Sequence, residues 1–263
     1  TGQMLWPRTQ RKDGKWFGFD IKVLAKKRGQ YLDKGQFRAQ YYNDPSDPDN
    51  VPVGSEKFQY YEQKHLKQEN GYWYFRDKKL NVFAAVDFAF SLSKKADYTA
   101  IVVIGIDADN NVYVLDIDRF RTDRISTYFD HIFHLFNKWS FRKMRAETTV
   151  AQVAIVKQLK ELIKEHGLSL SIEEFRPNKT QGNKQERIAA ALEPRYDNLS
   201  IWHYRGGNTQ ILEEELSSRN PAHDDVIDAF ASVVDMAVKP SRSVRRNNPQ
   251  NVVWANNRFR GNA

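Results

Sequence analysis

The segment AHDDVIDAF, residues 222–230, holds three carboxylates within five positions, Asp224, Asp225 and Asp228. They begin an apolar run that continues as ASVVDMAV, and on a helical wheel the acids lie opposite an apolar stripe. Asp225 and Asp228 are three positions apart, so they point the same way from adjacent turns. Like charges this close repel unless a cation lies between them. The segment is therefore either the solvated face of a helix or one side of a metal site.

A second acid interrupts the apolar stretch VFAAVDFAF, residues 82–90, at Asp87. Aspartate is disfavoured inside strands, and a buried carboxylate needs a cation or donated hydrogen bonds. The alternative is that the strand ends at Val86 and Asp87 starts a turn. Asp97 closes the polar link after this stretch and returns near Asp87 if the flanking strands form a hairpin. Asp is also common at strand entry, which is the plainer role for Asp97.

Glu147 ends the short segment FRKMRAE, residues 141–147, directly before a strong helical pattern. The ends of strands are where α/β sheets display functional groups. An acid next to a helix start is also stabilised by the helix dipole, with no catalytic role required. His223, beside Asp224, either tunes such a site or is an ordinary residue at a helix start.

Acids from a first strand, a later strand end and a late helix can converge on two divalent ions. Two-metal hydrolysis needs oxygen ligands around ions about 4 Å apart, one activating water and one stabilising the leaving 3′ oxygen. Carboxylates suit Mg²⁺ or Mn²⁺. The candidate ligands are Asp87, Asp97, Glu147, Asp224, Asp225 and Asp228. The candidate phosphate contacts are the nearby basic residues Lys179, Lys184 and Arg187, unless they belong to a solvated loop.

The elements that would position these acids follow from hydrophobic periodicity. Three strands with short links predict an antiparallel meander, and alternating helices and strands follow it. A proline at position 194 predicts that one of these helices breaks there. This order predicts an α/β fold of the ribonuclease-H-like type, with a mixed central sheet flanked by helices. The predicted strands are 82–90, 98–106, 112–120, 141–147, 168–175 and 199–204, and the predicted helices are 125–139, 148–167, 185–193, 209–218 and 224–238.

The composition sets limits on partner and chemistry. The chain has 263 residues, of which 40% are hydrophobic and 13% aromatic, enough for a packed core. Its formal net charge of +8 favours a polyanionic partner, nucleic acid or an anionic membrane. There is no cysteine, which excludes disulfides, thiolate metal sites and cysteine nucleophiles. No apolar run approaches the roughly 18 residues of a membrane span, so we expect no membrane partner.

The order and content of the acidic motifs resemble a known family, the large terminase subunits that package DNA in tailed bacteriophages and herpesviruses. DFAFSLSKKADYTAIVVIG resembles the first motif of the terminase nuclease domain, and HDDVIDAF resembles its closing acidic motif. RAETTVAQ lies where the family places its middle acid. Upstream, LWP and GQFRAQYYNDPSDPD resemble the segment that joins the terminase ATPase to its nuclease. The resemblance implies a ribonuclease-H-like nuclease that cuts concatemeric viral double-stranded DNA with two divalent ions.

Carried over motif by motif, the resemblance implies metal ligands at Asp87 and Glu147. Asp225 and Asp228 together fill the third ligand position, in an order that the resemblance leaves open. Asp97 matches a further acid in the family's hairpin. The implied cofactors are two Mg²⁺ or Mn²⁺ ions.

The domain prediction rests on one missing motif, since the chain has no GxxxxGK[ST] nucleotide-binding sequence. We therefore expect residues 1–80 to be a connector after a missing N-terminal ATPase domain, and 81–238 to be the nuclease. Residues 239–263 contain six Lys or Arg and no acid, which predicts a flexible basic tail. Its arginines, among them Arg242, Arg245 and Arg246, add to the expected DNA affinity.

Partners and location follow from the resemblance alone. It implies double-stranded DNA, the portal protein, the small terminase subunit and the ATPase domain of the same chain, in the cytoplasm of the host cell. We expect DNA cleavage without ATP hydrolysis. The alternatives are a Holliday-junction resolvase or ribonuclease of the same fold, and a non-catalytic module that binds DNA or the portal.

Overall fold

The computed structural model describes most of the chain with gaps. The described residues are 7–28, 40–41, 53–89, 98–148, 152–176, 183–218 and 221–241. Asp97, Lys179 and all but the first three residues of the predicted basic tail lie outside them. No helix within these ranges is long and apolar enough to cross a bilayer.

The secondary structure alternates strands and helices as the sequence predicts. The strands are β1 Thr9–Gln10, β2 Trp16–Phe17, β3 Gln59–Tyr61, β4 Leu66–Glu69, β5 Tyr72–Phe75, β6 Lys78–Asp87, β7 Thr99–Ile106, β8 Val112–Phe120, β9 Lys143–Glu147, β10 Ser171–Phe175 and β11 Ile201–Tyr204. The α-helices are α1 Ile21–Arg28, α2 Ile125–Trp139, α3 Val153–Glu165, α4 Lys184–Asp197, α5 Thr209–Leu216 and α6 Asp225–Met236.

One mixed sheet organises these elements, with strands in the order β10-β9-β6-β7-β8-β11-β3. Strands β6, β7 and β8 form the predicted antiparallel meander. Strand β9 runs parallel to β6, and β10 runs parallel to β9. Strand β7 is buried at every position, which suits its unbroken apolar and β-branched run. The predicted α/β fold with a mixed sheet flanked by helices is confirmed.

Helix α6, which carries Asp225 and Asp228, packs on the strands that carry Asp87 and Glu147. It packs on β6, β7 and β9 and against helices α4 and α5. Its apolar stripe, including Val226, Phe230 and Val233, is buried. Burial of a side chain of this size stabilises a fold by about 1.5–3 kcal/mol. The orientation of α6, and with it the direction of its acids, is therefore fixed by packing.

The predicted helix break at Pro194 is wrong. Helix α4 continues through it to Asp197, and the Pro194 carbonyl accepts a hydrogen bond from Asn198 N at 3.2 Å. Leu192 and Tyr196 flank the proline and are both 1% exposed. Burial of these two side chains stabilises the last turn although Pro194 donates no backbone hydrogen bond.

The residues before the predicted nuclease boundary also enter the sheet. Strand β3 pairs in parallel with β11, and β5 pairs with the start of β6. Strand β6 begins at Lys78, so a boundary at residue 81 falls inside it. Val53, Phe58 and Tyr61 are buried in the common core. The division of the chain stays a prediction, but residues 53–77 pack as part of the same body.

Candidate metal centre

Asp87 and Glu147 end two neighbouring parallel strands at the same level. Strand β6 ends at Asp87 and β9 ends at Glu147. The register pairs the preceding residues, Val86 with Ala146. Neighbouring strands lie about 5 Å apart, and equal register in parallel strands puts side chains on the same face. The topology therefore brings together two acids that are far apart in sequence, as the sequence predicted.

Asp228 joins these two acids from helix α6. Burial and the negative charges of Asp228, Asp225 and Glu147 together raise the pKa of Asp87 to about 7, against the opposing charge of Lys184. Burial and the negative charges of Asp224 and Glu147 together raise the pKa of Asp228 to about 6, against the hydrogen bond and charge of Lys184. These mutual effects show that the predicted acids share one electrostatic environment.

Lys184 is the first residue of helix α4, and its ammonium lies among the acids of α6. Its Nζ donates to Asp224 Oδ2 at 2.8 Å and forms a salt bridge with Asp228. Burial lowers the pKa of Lys184, but the hydrogen bonds to Asp224 and Asp228 outweigh burial and raise the pKa above its ordinary value. Lys184 is therefore a fully charged counter-ion of the cluster.

Arg187, one helical turn after Lys184, approaches the acid of the strand end. Its Nη2 donates to Glu147 Oε1 at 3.3 Å. We predicted Lys184 and Arg187 as phosphate contacts, and here both pair with carboxylates. Their contact with DNA stays a prediction, and Lys179 lies outside the described residues.

Asp225 occupies a different environment from Asp228, although the two are one turn apart. It is 3% exposed and accepts a hydrogen bond from Tyr98 N at 3.1 Å. Arg119 Nη2 lies 3.6 Å from Asp225 Oδ2, and its guanidinium packs 3.7 Å from the centre of the Tyr98 ring. Asp225 thus ties helix α6 to the start of β7 and the end of β8, whereas Asp228 faces Lys184.

Two further groups lie behind Asp225. Glu215 on helix α5 is 4% exposed and accepts a hydrogen bond from Ile227 N at 2.8 Å. Burial and the negative charges of Asp225 and Asp224 together raise the pKa of Glu215 to about 7, against that hydrogen bond and the charge of Arg119. The predicted site did not include Glu215. The sequence held one indication of its burial: Glu215 lies three positions after Leu212, which places both on the same side of helix α5. His223 packs edge-on against Tyr98, with ring centroids 5.0 Å apart.

The carboxylates of the centre are suitable ligands for a divalent metal, but in this structure they form ion pairs with Lys184 and Arg187. Within the described ranges, no group of three or more His, Cys, Asp or Glu side chains is arranged to hold a metal ion. The donors are carboxylate oxygens, which hard divalent ions prefer. An ammonium already lies against Asp228, so the cluster binds positive charge at this place. Asp87, Glu147 and Asp228 would hold a metal once Lys184 and Arg187 move.

A cavity of about 260 Å³ opens beside these carboxylates. Its walls come from α4, α6 and the ends of β9 and β10, and they include Arg145, Phe175 and Ser232 together with Lys184 and Arg187. Arg145 is held by Glu173, with its Nη2 at 2.8 Å from Oε1. The cavity leaves space for the side chains of Lys184 and Arg187 next to the acids.

Comparison with known proteins gives one match to a protein family. The model of the terminase RNaseH-like domain matches residues 84–237, more than half of the chain. That range begins in β6 and ends after α6, so it contains all the acids of the candidate centre. A search of curated proteins gives no match.

Several solved structures are similar to this chain. The large terminase nuclease from thermophilic phage G20c is 14% identical over 70% of this chain and 96% of that one, with a TM-score of 0.47. The same nuclease with bound magnesium is 13% identical over 69% and 94%, with a TM-score of 0.45. RuvC of T. thermophilus in complex with a Holliday junction substrate is 12% identical over 58% and 90%, with a TM-score of 0.35.

Proposed function

The chain belongs to the family of terminase RNaseH-like domains, and we propose that it is a metal-dependent endodeoxyribonuclease. Its family and fold are those of a nuclease. Its substrate is concatemeric viral double-stranded DNA, which it cuts during genome packaging. One observation carries the proposal. Asp87 and Glu147 end adjacent parallel strands at one level, and Asp228 adds a third charge that raises the pKa of Asp87.

The mechanism assigns a distinct task to each charged group of the centre. Bound divalent ions supply an activated water and stabilisation of the leaving 3′ oxygen. Asp87, Glu147 and Asp228 would hold these ions, and Asp87 would have to give up its proton to do so. Lys184 and Arg187, which pair with Asp224, Asp228 and Glu147 in this structure, would have to leave these carboxylates for a metal to bind. Both are then placed to pair with phosphate oxygens of the DNA beside the cavity.

The proposed partners come from family membership and from charge. A net charge of +8 supports binding to double-stranded DNA. The portal protein, the small terminase subunit and an ATPase domain of the same chain are the further partners that we propose, in the cytoplasm of the host cell. The described acids and bases suit phosphodiester cleavage, and we propose no ATP hydrolysis by this part of the protein.

The test is nicking of supercoiled plasmid DNA with Mg²⁺ or Mn²⁺, compared with the same reaction in a chelator. We expect metal-stimulated nicking by the wild-type chain and its loss in Asp87→Ala. Asp130→Ala is the matched control, because Asp130 is an exposed acid on helix α2. Wild-type protein that shows no metal-stimulated cleavage at any DNA concentration would favour a non-catalytic binding module.

A comparison of substrates separates this proposal from the other nucleases of the same fold. Linear duplex DNA, a four-way junction and an RNA–DNA hybrid are offered at equal concentration. A terminase nuclease cuts the duplex best. Preference for the junction identifies a resolvase, and preference for the hybrid identifies a ribonuclease.

A further inference from the structure

Lys184 occupies an unusual place for a lysine. It is the first residue of helix α4, where the helix dipole disfavours positive charge by a few tenths of a kcal/mol to about 1 kcal/mol. A capping box fixes that helix start. Asn183 Oδ1 accepts from Glu186 N at 2.9 Å, and Asn183 N donates to Glu186 Oε2 at 2.8 Å. The backbone of Lys184 is therefore held in place, and its charge must be stabilised by something other than the helix.

That stabilisation comes from two acids that differ in exposure. Asp228 is only 11% exposed and belongs to the candidate metal centre, whereas the side chain of Asp224 is 50% exposed and lies at its rim. The ammonium of Lys184 bridges them. Lys184 thus stands where positive charge is needed when Asp228, Asp87 and Glu147 are all near one another.

We propose that Lys184 is a resident counter-ion of the metal centre, which a divalent ion must displace from Asp228, and that Asp224 holds the displaced ammonium. This inference rests on the proposed metal-dependent function. It gives Asp224 a role without making it a ligand. It also makes Lys184 a competitor of the metal, in addition to its proposed contact with DNA.

The structure leaves room for this exchange. The side chain of Lys184 is 47% exposed and lines the cavity of about 260 Å³ beside the acids. A lysine side chain has several rotatable bonds, so its ammonium can leave Asp228 while the helix start stays fixed. Because Asp224 reaches into solvent, the ammonium keeps one carboxylate partner during the exchange. Displacement then costs one ion pair and not two.

The test is binding of Mn²⁺ to the whole chain without DNA, measured by the electron paramagnetic resonance signal of free Mn²⁺. Lys184→Met removes the charge and keeps the length of the side chain. We expect it to lower the Kd for Mn²⁺ about tenfold, the effect of one partly buried charge pair. Lys184→Arg should stay within about twofold of wild type, because it keeps the competing charge.

The matched control is Lys157→Met, which changes the net charge equally. Lys157 is exposed on helix α3, which packs on α2 and β10 and does not carry the acids. Its Kd should equal that of wild type. Lys184→Gln is a second variant in case the methionine disturbs folding, and circular dichroism reports the fold of each protein.

The outcomes separate this inference from the function on which it rests. If the wild type binds Mn²⁺ and removal of the Lys184 charge leaves the Kd unchanged or raises it, the resident counter-ion is wrong and the metal-dependent function stands. If neither the wild type nor any variant binds Mn²⁺, the proposed function is wrong and the inference falls with it. If Lys157→Met also lowers the Kd for Mn²⁺ about tenfold, the effect comes from net charge alone, and this result would overturn the inference as well.

Discussion

Replacement of Asp87 by asparagine should remove cleavage and, unlike most substitutions of buried residues, stabilise the metal-free protein. Asp87 ends strand β6 beside Glu147 and is surrounded by further negative charge. Asparagine has nearly the same shape but no charge. The repulsion that a bound metal would relieve is then absent. An acid kept for structure alone would show the reverse, since its removal would lose stabilising contacts.

The size of the effect follows from the pKa of Asp87, which is raised from 3.8 to about 7 by burial and by Asp228, Asp225 and Glu147. A carboxyl with a raised pKa in the folded state binds its proton more tightly there, so stability falls as pH rises from about 4 to about 7. At about pH 8 the full penalty is about 4 kcal/mol as an upper limit. Structural relaxation and the imperfect match of asparagine reduce the expected gain to about 2 kcal/mol. At about pH 5 the penalty is less than half as large, because Asp87 is mostly protonated there.

The assay is urea denaturation in the presence of a chelator, followed by the fluorescence of the six tryptophans of the chain. Wild type and Asp87→Asn are compared at about pH 8 and about pH 5, and the free energy of unfolding is obtained by linear extrapolation. The variant should be more stable at the higher pH, with a smaller gain at the lower pH. A variant that is less stable than wild type at the higher pH, or a gain in stability that is equal at both pH values, would show that Asp87 is not destabilised by the charges around it.

Glu147→Gln and Asp228→Asn should each lower metal-stimulated plasmid nicking at least about 100-fold with an unchanged circular dichroism spectrum, since each removes a proposed ligand; near-normal nicking would remove that residue from the centre. Asp225→Ala should lower the free energy of unfolding by about 2–4 kcal/mol, because it leaves a buried guanidinium and a backbone N–H without their partner; a thermally neutral substitution contradicts this. Lys179→Ala should weaken duplex binding and reduce the slope of log affinity against log salt by about one, measured by fluorescence anisotropy; an unchanged slope excludes a phosphate contact. The affinity for Mn²⁺ should fall as pH drops from about 8 to about 6, because the pKa values of Asp87 and Asp228 are raised and both must lose protons to bind metal; calorimetry in buffers of different ionisation enthalpy should show proton release, and its absence would contradict the assignment.

The sequence predicted β6 from an apolar run that one carboxylate interrupts, and β9 from a short segment between two helical patterns. The end of β9 at Glu147 was predicted from the start of the next helical pattern. The predicted strand 82–90 placed Asp87 inside a strand, whereas β6 ends at Asp87. The helical wheel of α6 also placed its acids together. It treated them as equivalent, however, and the structure separates them. Asp225 pairs with Arg119, which lies on strand β8 and comes near helix α6 only in the folded protein.

The pairing of Lys184 and Arg187 with carboxylates could not be read from the chain. Lys184 and Asp228 are 44 positions apart, and a basic loop looks the same whether it faces solvent or a cluster of acids. Only the packing of helix α4 against helix α6 places these two basic side chains next to the acids. Glu215 was missed for a similar reason, because the run of acids around it is typical of a solvated helix face.

The role of the residues before β6 had a local signal. Asn70 and Gly71 join β4 to β5 with φ values of 51° and 75°, as in the two-residue turns of tight hairpins. Asparagine and glycine tolerate this conformation better than other residues. An Asn-Gly pair followed by an aromatic segment of strand length therefore indicates a hairpin, which continues into β6. The register of β3 against β11 had no such signal, because the two strands are distant in sequence.

The central claim is that Asp87, Glu147 and Asp228 hold divalent metal. The most direct measurement is a crystal structure of the chain with Mn²⁺, with data collected at a wavelength that gives anomalous scattering from manganese. We predict an anomalous peak within ligand distance, about 2.0–2.3 Å, of oxygens from all three carboxylates, with the ammonium of Lys184 moved away from Asp228. A fully occupied Mn²⁺ bound elsewhere, or no peak among these acids at a saturating concentration with Lys184 still on Asp228, would contradict it.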